Sequence, residues 1–410
     1  MLLKIAFRNL WRRKFRTIIT IVAIGISSSM LLFFEQLHLG QHEQMANSGI
    51  RLHSGHVVIQ HKNFQSSCEL ADRIIHPEKV MKIIRENFGS SFPVSSRIFT
   101  TGSLASSDGN IILDTLLGAS HVDEGKISNI PEKITSGKWI SGKDGEIVIG
   151  FLAAKLLKLD IGTKVQLSIP DLGGNVSRVA LRVTGIFTTG GSDIDRGYAV
   201  INLSQAQKLL NMGNSVNQIS VFSGIDNSLK MASSIRKKIH DNELEVLDWA
   251  SALPTLSQFI LVDTISMYVF LLIIFFIVAA GVLNAILMSV MERTREFGVL
   301  KSIGMKPFSI FNLIIIESVL IGLISTVIGF LIGQLISYLT YKYGIDPAAF
   351  TGGETMEVAG VGLTERIRTK ITFWSIVWTS SSVMLMTVMS ALLPAIRAAR
   401  IIPVKAVRDV

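Results

Sequence analysis

The sequence predicts a membrane protein with four transmembrane α-helices and a large mixed α+β extracytoplasmic domain between the first and second. Three observations lead there. Four charge-free apolar runs, Thr17–Phe34, Thr264–Met291, Ser318–Tyr341 and Ile371–Ile396, have the length that a hydrocarbon core of about 30 Å demands. Between the first two runs lies a long stretch that alternates short Val/Ile/Leu-rich segments with Gly, Asp and Ser clusters. The composition, 49% hydrophobic and 17% charged, is too apolar for an ordinary soluble domain and too polar for spans alone.

Charge placement sets the expected orientation. The formal net charge is +9, but residues Leu37–Val262 hold 22 basic and 21 acidic side chains and are almost neutral. The excess flanks the spans: Lys4, Arg8, Arg12, Arg13, Lys14 and Arg16 before the first, and Arg397, Arg400, Lys405 and Arg408 after the last. Basic flanks mark cytoplasmic ends, so both termini are expected inside and residues 37–262 and 342–370 outside. The second outer loop is balanced, Lys342, Arg366, Arg368 and Lys370 standing against Asp346, Glu354, Glu357 and Glu365. This distribution speaks for membrane lipid and against nucleic acid. Cys68 is the only cysteine, so the chain forms no internal disulfide.

Residues 1–16 read as an amphipathic helix on the cytoplasmic face, with Leu3, Phe7, Leu10, Trp11 and Phe15 on one side and Lys4, Arg8 and Arg12 on another. Residues 17–36 form the first span. It reads as a retained anchor, because bulky Met30–Phe34 offers no small-x-small cleavage site. Glu35–Asn47 extends the helix outward, and His38 and His42 share a face of it. With no HExxH and no cysteine partner, their spacing matches no standard zinc motif.

Within 37–262, strands are expected at Gly55–His61, Asn110–Gly118, Glu146–Gly150, Lys164–Ile169, Arg178–Thr188 and Tyr198–Asn202. Helices are expected at Phe151–Lys158, at Ser204–Asn211 with Ser204 as N-cap, and at Ser228–His240. Nucleophile, base and orienting acid nowhere fall together, so no catalytic residue is assigned.

Residues 263–291 make the second span with its stalk; its uncharged run alone would rise about 42 Å, more than the bilayer core needs. Residues 292–307 follow as a charged foot ending at Gly304 and Pro307. The third span, 308–341, carries Glu317 near its inner end, within reach of water or a basic partner. It also carries a small-residue face, Gly322, Gly329 and Gly333, suited to close packing with another helix, including one in a second copy. The fourth span, 371–396, contains Ser380, Ser381, Ser382 and Pro394, and residues 397–410 form a cytoplasmic tail. There is no G-x-x-x-x-G-K-[S/T], so no nucleotide is expected to bind here.

Three segments carry a family resemblance: IAFRNLWRRKFRTIITIVAIGI near the start, MERTREFGVLKSIGMKP at the foot and LPAIRAARIIPVKAVR at the tail. They resemble the signatures of the MacB/FtsX-type (type VII) ABC transporter permeases, across essentially the whole chain. Three outer segments, GQHEQMANSGIRLHSGHVVIQH, GEIVIGFLAAKLLKLDIGTKVQL and LRVTGIFTTGGSDIDRGYAVINLSQAQKLL, look most similar to the LolC/LolE lipoprotein-release branch. The resemblance implies a multi-pass permease of the bacterial inner membrane that works by mechanotransmission, without catalysis of its own. A cytoplasmic ABC ATPase dimer would bind ATP and Mg, and a second permease subunit, identical or a paralogue, would complete the pair. It implies that Glu292, Arg293, Thr294, Arg295, Glu296, Phe297, Gly298, Leu300 and Lys301 couple to that ATPase. It also implies a lipoprotein cargo and a periplasmic carrier, which the loops 170–175 and 190–196 would meet. FtsX-like control of a cell-wall hydrolase and MacB-like efflux are the alternatives.

Overall fold

The computed structural model describes residues 2–12, 14–89, 92–125, 127–346, 349, 356–358, 361–363 and 366–402. Arg13, Glu354, Glu365, Lys405 and Arg408, named above for their charge, lie outside them. The chain forms two compact units. One is Met1–His42, Val262–Ile345 and Ile367–Val410; the other is Glu43–Leu261 with Asp346–Arg366.

In the first unit, a leader helix Leu2–Arg12 precedes a first-span helix Lys14–Gly49. The second-span helix is Pro254–Glu292, the foot helix Thr294–Ser302, the third-span helix Pro307–Tyr343 and the fourth-span helix Phe373–Ala399. Four of these are long and apolar enough to cross a membrane. The charge-free runs mark the apolar part of each helix rather than its ends. The second-span helix begins at Pro254 because Thr255, Ser257, Gln258 and Asp263 interrupt the apolar run without interrupting the backbone hydrogen bonds.

Lipid tails supply no hydrophobic drive between spans, so close packing depends on small residues and polar contacts. The glycines of the third span pack against other helices of the same chain. A Cβ at Gly329 would stand 2.6 Å from Ser28 Cβ and 2.7 Å from the Gly25 carbonyl oxygen, and one at Gly333 would stand 3.0 Å from the Ser29 carbonyl. Gly322 instead faces the fourth span, where Met384 Sδ and Thr387 Cγ2 lie 3.1 and 3.2 Å from its missing Cβ. Polar groups complete the seam: Gln36 donates to Ser375 Oγ at 3.2 Å, and Thr379 donates to the Glu35 carboxylate. Of the four span helices the second is the least covered, with only 11% of its most apolar window buried.

In the second unit the sheet strands are β1 Val57–His61, β2 Val94–Ser106, β3 Gly109–Ala119, β4 Ile134–Gly137, β5 Glu146–Gly150, β6 Lys164–Pro170, β7 Val176–Phe187, β8 Tyr198–Asn202, β9 Gln218–Val221 and β10 Leu244–Asp248. They form one mixed sheet in the order β10-β1-β9-β2-β3-β8-β5-β7-β4. β3 with β8 and β5 with β7 are parallel; the other pairs are antiparallel. β6 pairs with both β7 and β2, which closes β2, β3, β8, β5, β7 and β6 into a ring. Alternation drives this closure: Val165, Leu167 and Ile169 point into the core while Lys164, Gln166 and Pro170 are exposed. The crossing needs Gly102, at a bulge in β2, where a Cβ would meet Ile169 at 2.7 Å and the Ser168 carbonyl at 2.9 Å.

Four strands of this sheet, β2, β4, β9 and β10, were not among those expected from the sequence; in β2, Ser, Thr, Gly and Arg residues hide the alternation. Its Arg97 is fully buried and paired with the equally buried Glu124, Nη2 to Oε1 at 2.6 Å and Nε to Oε2 at 2.9 Å, with Ser95 Oγ on the same carboxylate. The helix expected to open at Ser204 runs Leu203–Leu209 with Asn202 at the cap position, and Ser204 Oγ accepts from the Asn202 amide.

Two consequences are measurable. Glu124→Ala strands the Arg97 guanidinium in the core and should cost about 3–5 kcal/mol in denaturant unfolding of the chain. Gly329→Leu drives a side chain into the first span and should cost about 1–3 kcal/mol, read as earlier unfolding in a detergent titration.

Candidate functional site

The foot is built by a break in the helix. At Arg293 the backbone leaves the α-helical region, φ −102° and ψ 11°, and helix resumes at Thr294. It stops again at Gly304, whose φ of +99° favours glycine. Lys306 is extended, and Pro307 opens the third span at a position where its missing N–H costs nothing. A short charged helix is thereby held between two spans.

Its anchoring is electrostatic on one side and apolar on the other. Arg293 Nη1 bonds both oxygens of Glu317 at 3.1 and 2.9 Å, its Nε reaches Glu296 at 3.3 Å, and its guanidinium lies 4.9 Å above the Phe297 ring. Asn9 of the leader helix donates to Glu317 at 2.8 Å. Arg12 pairs with Glu296 at 2.9 Å and Arg16 with Glu292 at 2.7 Å. Arg293 and Glu317 are nearly buried, which makes their charge-assisted bonds the strong ones, whereas the Arg12 pair is solvated and worth little. Phe297 is fully buried among the leader and span residues Ala6, Ile310 and Ala398 of the same apolar cluster. Lys301 Nζ donates to the Ala399 and Ile401 carbonyls at 2.8 and 2.7 Å, a cation on the negative end of the fourth-span helix.

The residues expected at the coupling site therefore divide. Arg293, Glu296, Phe297, Gly298 and Lys301 are turned into this chain, and Leu300 packs against the apolar cluster. Thr294 Oγ1 donates to the Met291 carbonyl, and Glu292 pairs with Arg16. Arg295 is exposed and makes no ion pair among the described residues. Around it the outward face is apolar: Val299, Phe308 and Ile303, the last 79% exposed. Sequence reasoning missed those three, and it missed Asn9, Arg12 and Arg16 as clamps, because their partners lie hundreds of residues away in the chain. Glu317, flagged as an acid near the interface, has its basic partner in Arg293.

Comparison with known proteins bears on what such a foot belongs to. Residues 268–403 match the family described as FtsX-like permease C-terminal. The lipoprotein-releasing system transmembrane protein LolC of Xylella fastidiosa (strain Temecula1) is 25% identical over 292 residues, 70% of this chain and 70% of LolC. An ABC transporter permease of Methanocaldococcus jannaschii is 27% identical over 222 residues, 52% of this chain and 54% of its own. Among solved structures, the periplasmic region of MacB from Actinobacillus actinomycetemcomitans aligns with 51% of this chain and 95% of its own, at 11% identity and a TM-score of 0.34.

Four apolar spans and a charged foot matched by a permease family define a membrane permease of an ABC transporter. Its C-terminal part, residues 268–403, is similar to the FtsX-like permeases, and over 70% of its length the chain is similar to LolC.

Glu317→Gln should leave Arg293 without its main counter-charge while keeping the side chain's size. The expected cost is about 3 kcal/mol in unfolding of the membrane unit, and restoring an acid with Glu317→Asp should recover part of it.

Proposed function

We propose that this chain is the force-bearing permease of a lipoprotein-releasing ABC transporter in the bacterial inner membrane, with both termini cytoplasmic. A separate ATPase docks beneath the foot, and a second permease subunit, identical or a paralogue, stands beside this one. Nucleotide-driven movement of the ATPase displaces the foot, and the second-span helix carries that displacement to the outer domain, where an acylated protein leaves the membrane for a carrier.

The observation that supports this reading best is the way the foot is bolted. Arg293 and Glu317 tie it to the third span, Lys301 ties it to the fourth, and Phe297 is buried in an apolar cluster that includes Ala6 of the leader helix. A load applied at Arg295 and Ile303 meets a block of helices instead of a hinged loop, so little of the stroke is lost in local bending. The similarity to LolC supports a lipoprotein as cargo.

The test is capture from native membranes with the tagged chain. An ABC ATPase is expected to co-purify, and its ATP turnover in proteoliposomes is expected to rise severalfold with a triacylated lipoprotein but not with its delipidated form. Arg295→Glu, which touches no ion pair among the described residues, should weaken ATPase capture about tenfold with an unchanged unfolding profile. Turnover indifferent to acylation would exclude lipoprotein release, and unchanged capture by the variant would exclude the foot as the docking surface.

A further inference from the structure

Where the first-span helix leaves its apolar stretch, His38 and His42 stand one turn apart and face Asp263 of the second-span helix. His42 Nε2 lies 2.7 Å from Asp263 Oδ2, and His38 Nδ1 lies 3.6 Å from the same oxygen. The two imidazoles are 3.9 Å apart, and one ligand atom from each of the three residues falls within 4.8 Å of the others. Both histidine side chains are 12% exposed and the carboxylate is 39% exposed, which leaves one open side.

We propose that His38, His42 and Asp263 form a binding site for a divalent transition metal, with Zn²⁺ as the natural occupant. Two imidazole nitrogens and one carboxylate oxygen are a zinc donor set, and the exposed side leaves room for water in the fourth position. Ligand atoms around tetrahedral zinc stand about 3.4 Å apart, and the 2.7 and 3.6 Å separations bracket that value. Modest side-chain rotation completes the geometry. A hydrogen bond alone accounts for His42 and Asp263, but it leaves His38 idle. Its Nδ1 is too far from the carboxylate for an ordinary hydrogen bond, and its Nε2 is buried with no partner among the described residues. His42 has an orienting contact as well: Nδ1 lies 3.4 Å from Thr264 Oγ1, and donation there leaves the Nε2 lone pair available to a metal.

A metal held this way joins the first- and second-span helices at one level. It fixes their separation. Mg²⁺, which prefers oxygen ligands, has no comparable set here.

The test uses the full chain, freed of any purification tag, in lipid nanodiscs. Equilibrium dialysis against Zn²⁺ followed by elemental analysis should give one zinc per chain, and Co²⁺ should give the intense visible bands of a tetrahedral site. Asp263→Asn and His38→Gln should each weaken Zn²⁺ binding at least tenfold, while His240→Gln, an exposed histidine elsewhere, should leave it unchanged. Should His38→Gln fail to fold, the near-isosteric Asp263→Asn decides alone. Absence of stoichiometric zinc in the unaltered chain, or full affinity in Asp263→Asn, would overturn the proposal.

Discussion

The Arg293–Glu317 pair is the interaction on which the foot end of the membrane unit depends. A carboxylate on a span and a guanidinium at a helix break are each costly near an apolar interior. Their mutual bonds, with Asn9 on one side and the Phe297 ring on the other, remove that cost and fix the angle of the foot. Because Arg293 sits at the break itself, its side chain determines where the second-span helix ends and where the foot begins. The geometry of the outward face, from Arg295 to Ile303, follows from that one attachment.

The same economy of small and polar groups governs the rest of the spans. Gly322, Gly329 and Gly333 set helix distances, and Gln36, Ser375 and Thr379 add hydrogen bonds where lipid provides no partner. Gly40 shows how tight this becomes: a Cβ there would fall 1.8 Å from the Arg368 carbonyl, and Lys370 N–H donates to the Gln36 carbonyl at 2.8 Å beside it. The second-span helix shares little of this packing, which leaves most of its surface to lipid or to another subunit.

Features governed by local chemistry were legible in the sequence. Uncharged runs reported the spans, and β-branched segments bounded by turn residues reported β5, β6, β7 and β8, because span length and strand alternation are short-range constraints. The charged foot was visible as a segment for the same reason. What the sequence could not give was partnership. The direction of Arg293, Glu296 and Lys301 depends on residues on other helices, and GxxxG spacing names a close contact without naming the helix that makes it. β2 was hidden because a buried ion pair, a bulge glycine and several hydroxyls occupy positions where apolar alternation would have announced a strand. His38 and His42 were read as a pair without a third ligand, since Asp263 arrives from a distant part of the chain.

The strand ring has a kinetic consequence. β2 and β6 meet only after the three intervening strands and their helices have been made, so the pairing of Ser103 with Ser168 closes a long loop late. Until β6 docks, the stretch of β2 that it will occupy is open to foreign strands. The nascent domain is therefore most prone to mispairing during the interval between synthesis of β2 and arrival of the β6–β7 hairpin, and slow elongation across that interval would prolong its vulnerability.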